Sequence, residues 1–248
     1  MKVIYILWLR QLKRYVRSKA RIIGSLGQPL LFFLALGFGF GPIYTKAGGG
    51  SYIQFLAPGI IIMSILFTAT FSGIEVLWDR QFGFLKETLV APVSRLRIIL
   101  GRIFGGATVA VVQGLIVFGL CLAVGFRPVS YSLLPLALVY MTLMAITFTA
   151  LGTAIASFLE DMQGFQIIIN FLVMPMFFLS GALFPLQNLP RPVVIISTLN
   201  PLAYGVDGLR GTLINLVHFG LVTDLCVLLA MAAFLTLVGA YLFSRIEV

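Results

Sequence analysis

Apolar runs alternate with short polar stretches along the whole chain. Six runs, at about 22–42, 55–77, 103–126, 133–157, 166–186 and 221–243, are long enough to cross a membrane as helices. A hydrocarbon core of about 30 Å needs about 20 helical residues. The pattern predicts an all-α membrane protein of six transmembrane helices, with a transmembrane domain over 22–248. Before the first run, KVIYILWLRQLKRYVRSKAR (2–21) places Ile4, Trp8, Leu12 and Tyr15 at helical spacing opposite Arg10, Lys13, Arg14, Arg17 and Arg21. Such a stripe predicts an amphipathic helix over 1–21 lying in the interface, apolar face in the acyl boundary and cations toward anionic headgroups. Between the fifth and sixth runs, Pro190, Pro192 and Pro201 forbid one continuous helix. The apolar piece 192–206 is too short to span, so residues 187–216 are expected to form a re-entrant or interfacial outer hairpin.

Charge placement orients these elements. The chain is 60% hydrophobic and 10% charged, with a net charge of +9. Its cations flank apolar runs and do not form an aromatic-interleaved groove, which argues against nucleic acid and for topology. With the N-terminus cytoplasmic, segments 1–21, 78–102 and 244–248 hold 13 of the 17 Lys and Arg, leaving Lys46, Arg127, Arg191 and Arg210 outside. The expected location is the plasma (inner) membrane, with both termini cytoplasmic. The apolar run after the basic segment is too long for a cleavable signal and is expected to stay as an anchor. Cys121 and Cys226 sit in apolar runs without a CxxC, so they suggest neither a metal cluster nor a disulfide framework.

One stretch departs from the apolar rhythm. FLKETLVAPVSRLR (84–97) carries Lys86, Glu87, Arg95 and Arg97 between two spans. With Arg80, Phe82, Phe84 and Leu85 it makes apolar anchors within a charged rim, the anatomy of a protein interface. The inner loop 78–97 is therefore expected to dock a protein partner. The chain has no GxxxxGK[ST] phosphate loop and no Ser/His/Asp constellation around its single His218, so hydrolysis by this chain alone is not expected. Glu75 and Arg102 at inner helix ends, and Asp224 near an outer one, suggest snorkelling or pairing. Gln113, Gln166 and Asn170 suggest interhelical hydrogen bonds, and Gly101, Gly105 and Gly106 close helix packing. Phe171, Phe177 and Phe178 with Asn170 are candidates for a substrate path or a lipid-facing surface.

Three features in order resemble the integral membrane subunits of ABC-2 type transporters, exporters that include drug, nodulation-factor and polysaccharide permeases. They are the basic amphipathic start, the segment KETLVAPVSR (86–95), and FLSGALFPLQNLPRPVVIISTLNPLAYGVDGLRG (178–211). The resemblance covers essentially the whole chain. It implies a permease that pairs with a second copy or a homologous permease and docks on separate ATP-binding cassette subunits. ATP and Mg would be bound there, with no cofactor on this chain. It further implies that Arg80, Phe82, Phe84, Leu85, Lys86, Glu87 and Arg95 couple to the ATPase. Pro185, Pro190, Asn200, Pro201, Tyr204 and Arg210 would shape the outer hairpin at the substrate exit. The rival readings are an ATP-independent channel or secondary carrier, for which no midplane ion site is visible, and an integral membrane transferase, for which Glu160–Asp161 alone is thin support.

Overall fold

The computed structural model describes residues 2–48, 50–84, 93–186 and 190–245, which form ten helices and no strand. In chain order these are α1 (Lys2–Arg17), α2 (Lys19–Lys46), α3 (Tyr52–Phe71), α4 (Ile74–Gln81), α5 (Arg95–Val124), α6 (Leu134–Phe158), α7 (Met162–Phe178), α8 (Arg191–Leu199), α9 (Pro201–Ile214) and α10 (Leu221–Ser244). Five stretches are long and apolar enough to span: α2, the α3–α4 unit, α5, α6 and α10.

The expected fifth span is the exception. Helix α7 is a shorter apolar helix of 17 residues, about 25 Å at 1.5 Å per residue, and residues 179–186 complete the run without helix. The run predicted over 166–186 leaves the helix after Phe178, and Gly181 follows at φ +77°, a left-handed conformation that breaks the helix path.

Helix α3 is the centre of the bundle, packing on α2, α5, α6, α7 and α9, with almost all of its side chains buried. Helices α2 and α10 are peripheral and mostly exposed, as lipid-facing helices are. The hairpin is re-entrant. Helix α8 leads to a turn at Asn200–Pro201, and α9 returns, buried from Leu202 to Leu213 except at Tyr204 and packed against α3, α6 and α10. Gly205 and Gly208 make that approach possible: a Cβ would lie 2.1 Å from Met144 Sδ and 2.3 Å from the Tyr140 ring. Met144 is ten residues into α6, so the hairpin penetrates about 15 Å from the start of that helix.

Helix α1 does not lie apart from the bundle. It runs along the first half of α5, with Ile4 and Leu7 over Gly101 and Trp8 and Gln11 over Gly105. Trp8 Nε1 donates to Thr108 Oγ1 at 2.9 Å, and the Tyr15 hydroxyl donates to Gln113 Oε1. The apolar stripe read as facing acyl chains thus faces α5, where glycines let the two backbones come close. The hydrogen-bonding role expected of Gln113 is met here, whereas Gln166 and Asn170 are exposed on α7.

Candidate functional site

Two clusters stand out, one at each end of the bundle. At the α1 end, α4 carries its acids inward. Asp79, buried to 5% exposure, accepts from Arg10 through both oxygens, at 2.9 and 3.1 Å, and from Arg102 Nη2 at 2.6 Å. Glu75, one helical turn earlier and also buried, meets Arg21 at 3.1 Å and Arg14 at 3.6 Å. Helices α1, α4 and α5 and the first turn of α2 are thereby joined by four guanidinium groups on two carboxylates. Aromatic faces complete the junction: Arg10 lies 3.9 Å over Phe84, and Arg14 lies 5.1 Å over Trp78. Trp78 Nε1 reaches Met162 Sδ at 2.8 Å, and Arg80 bonds Glu160 at 3.1 Å and the Leu159 carbonyl at 3.4 Å, tying α4 to the α6–α7 connection. Arg95 donates to the carbonyl of Ser244 at the end of α10.

The expected docking residues are therefore split. Arg80, Phe84 and Arg95 hold the end of the bundle together, while Phe82, 80% exposed at the end of α4, projects away from it. Leu85, Lys86 and Glu87 lie outside the described residues. Glu75 and Arg102 are paired, as expected. Asp79, which bridges both Arg10 and Arg102, carried no signal of its own in the sequence. Its partners are 69 and 23 residues away, beyond the reach of any local pattern.

At the opposite end the hairpin is fixed by its polar residues. Asn200 caps α9, accepting from the Leu202 amide at 3.0 Å, and donates to the Met176 carbonyl at 2.6 Å. Pro190 and Pro201 stand at the starts of α8 and α9, where a missing N–H costs nothing. The Tyr204 hydroxyl donates to the Thr198 carbonyl at 2.8 Å, and its ring stacks on Phe219 at 4.8 Å. Arg210, only 5% exposed, does not reach water as its assignment to the outer cations implied. It donates to the carbonyls of Gly181 (3.1 Å), Ala182 (3.3 Å) and Phe55 (3.4 Å) and lies 3.8 Å over the Phe55 ring. Pro185 and Arg210 share a small cavity of about 80 Å³ with Asp207. Asp207 accepts the backbone amides of His218 and Phe219 at 2.7–2.9 Å, closing the turn into α10. Asp224 does not snorkel: it is fully buried, with its carboxyl group within hydrogen-bonding reach of the Asp207 carboxyl.

The four candidate path residues fall on two sides of α7. Asn170, Phe171 and Phe178 are on its exposed side, with Phe171 81% exposed, whereas Phe177 belongs to the buried stripe Phe165, Ile169, Val173 and Phe177 that seats α7 on the bundle. No cluster of metal-ligating side chains occurs among the described residues.

A bundle of apolar helices with an ion-paired end and a re-entrant hairpin at the other end defines a multi-pass membrane protein. The chain belongs to the ABC-2 type transporter family, whose pattern it matches over residues 2–214, and it is a transmembrane transporter component of the permease type. It is similar to the transport permease ycf38 of Porphyra purpurea, 28% identical over 93% of this chain and 83% of the relative. It is also similar to that of Pyropia yezoensis, 32% identical over 78% and 68%. Nodulation protein J of Rhizobium meliloti (strain 1021) is 29% identical over 82% of this chain and 78% of that protein.

Proposed function

We propose that the chain is the membrane-spanning subunit of an ATP-driven exporter, working as a pair and docking on separate ATP-binding cassette ATPases through the end that carries α1, α4 and segment 78–97. One observation carries this reading. Helix α4 is clamped by ion pairs to α1, α2 and α5 yet ends in the exposed aromatic Phe82. A rigid mount beneath an exposed apolar anchor suits a surface that receives force from a partner, because a few buried aromatic contacts carry most interface energy. The pairing reading is supported by α7, which seats only a narrow stripe on its own bundle and leaves Ile167, Phe171 and Phe178 uncovered. ATP and Mg belong to the ATPase, and the α1 end faces the cytoplasm.

The test is copurification and coupling. Phe82→Asp and Leu85→Asp place an unpaired carboxylate in a desolvated contact and are expected to reduce ATPase recovery at equal membrane expression. Glu87→Ala is expected to leave the complex assembled while lowering export per ATP hydrolysed. A native mass measurement is expected to give two membrane subunits with two ATPases. Full recovery and export in both Asp variants would overturn the docking reading, and substrate export by the purified chain without ATP would favour a carrier.

A further inference from the structure

A cavity of about 490 Å³ lies inside one subunit, walled by α1, α2, α3, α4 and α5. That is the size range of sites for small organic ligands. Arg21 and Glu75 line one end, Phe67 and Phe71 run along the α3 wall, and Ser64 lies at the other end. From Glu75 to Ser64 is eleven residues, about 16 Å of helix.

Three observations identify what it would hold. Ser64 is 1% exposed and its hydroxyl is closed off from the cavity, so the far end offers a ligand almost no polar surface. The charged end carries an excess of cation: both Arg14 and Arg21 face the single Glu75 carboxylate, and the neighbouring Asp79 is shared by Arg10 and Arg102. The Arg21 side chain, 38% exposed, keeps donor capacity beyond its one bond to Glu75. Finally, the cavity opens beside Gly24 on α2, where an added Cβ would meet nothing within 4 Å.

We propose that this cavity binds one anionic amphiphile, its carboxylate or phosphate head at Arg21 and its apolar body along Phe67 and Phe71 toward Ser64. The head at Arg21 is charge-assisted and the body leaves water, so both ends of the ligand favour the site. The site is formed by one chain and depends on neither a second copy nor an ATPase. It therefore stands or falls separately from the docking surface.

The experiment is native mass spectrometry of the purified chain in detergent micelles, titrated separately with palmitate, phosphatidylglycerol and the neutral alcohol hexadecanol. One palmitate or one phosphatidylglycerol per chain is expected, the stronger binder deciding whether the head belongs to a free amphiphile or to a membrane lipid. Hexadecanol is expected to bind at least tenfold more weakly. Arg21→Gln is expected to weaken the anionic probe about tenfold and leave hexadecanol unchanged. Gly24→Phe adds a ring to the cavity lining from a Cβ that meets nothing within 4 Å and Ser64→Met adds bulk at the far end, and each is expected to abolish one-to-one binding. Gel-filtration profile and unfolding midpoint report whether each variant is folded. No one-to-one binding of either anion, equal binding of hexadecanol, or undiminished binding in a folded Gly24→Phe or Ser64→Met chain would overturn the proposal.

Discussion

Replacing Asp79 by alanine removes the carboxylate that two arginines share, and the structure assigns the loss unequally between them. Arg102 is 4% exposed in its side chain and meets Asp79 at 2.6 Å. Without Asp79 it is a buried guanidinium with no counter-charge within the same contact, a situation that costs about 3–5 kcal/mol. Arg10 is 36% exposed, so solvent screens its pair and the loss there is about 1 kcal/mol or less. The expected destabilisation of Asp79→Ala is thus dominated by Arg102, at about 3–5 kcal/mol. Adding Arg102→Met removes the stranded charge and fills similar volume. The double variant is expected to recover most of the loss, since apolar replacement of a buried pair is often neutral or better. Reversible unfolding of the purified chain in mixed micelles measures all four corners of the cycle. If Asp79→Ala cost under about 1 kcal/mol, or if the double variant were as unstable as the sum of the singles, the junction would not be a buried charge pair and the argument would fail.

Asn200→Ala removes both the cap on α9 and the bond to Met176; it is expected to destabilise by about 1–2 kcal/mol and to increase protease cutting near the hairpin. Asp224→Leu is expected to raise the unfolding free energy by about 1–3 kcal/mol, because a fully buried carboxyl group set beside the like-charged Asp207 is exchanged for an apolar side chain; a destabilised variant would show that the Asp207–Asp224 contact holds the start of α10 in place. For orientation, single cysteines at the exposed positions Ser132 and Gln163, in a chain lacking Cys121 and Cys226, are to be treated with an impermeant thiol reagent outside intact cells. Labelling is expected at 132 and not at 163, and the reverse would invert the proposed topology.

The helices were legible because lipid-length apolar runs leave few alternatives, and the α1 stripe because its period is local. What covers a stripe is not local. Ile4, Trp8 and Tyr15 identified an apolar face, but only the glycines at 101 and 105, a hundred residues away, determine that α5 lies against it. Hydropathy also carried the fifth span through to 186, since Leu179, Ala182, Leu183 and Phe184 continue the apolar run. The backbone turns there because Gly181 adopts a positive φ, which hydropathy does not register. Arg210 shows the same limit for charge. Counted from sequence, it was one of four cations on the outer side, yet in the fold its guanidinium satisfies three carbonyls of chain segments that approach one another. Of the expected docking residues, the sequence gathered Arg80, Phe82, Phe84 and Arg95 into one region but did not separate Arg80, Phe84 and Arg95, which brace the bundle, from Phe82, which projects.

Both clusters grip the same central helix, and that bears on how the proposed transporter would work. Glu75 and Asp79 extend from the α3–α4 unit into the charged junction, while Tyr52 and Phe55, about six to seven turns away, hold the hairpin end: the Tyr52 hydroxyl donates to the Leu183 carbonyl at 2.9 Å, and the Phe55 carbonyl and ring receive Arg210. The unit is continuous but for the Ser72–Gly73 break between α3 and α4. Packed helices transmit displacement because interiors are close-packed and compress little. On the docking reading, a push on segment 78–97 therefore has two consequences set by the geometry. Motion along the axis of α3 would carry Phe55 and Tyr52 against the hairpin and move the exit. Motion across that axis would be absorbed at Ser72–Gly73 and lost. The ion pairs to α1, α2 and α5 would oppose the transverse component, because Arg10, Arg21 and Arg102 hold α4 from different helices. On the docking reading, the junction that stabilises this end of the bundle would also limit the directions in which an ATPase could move α4.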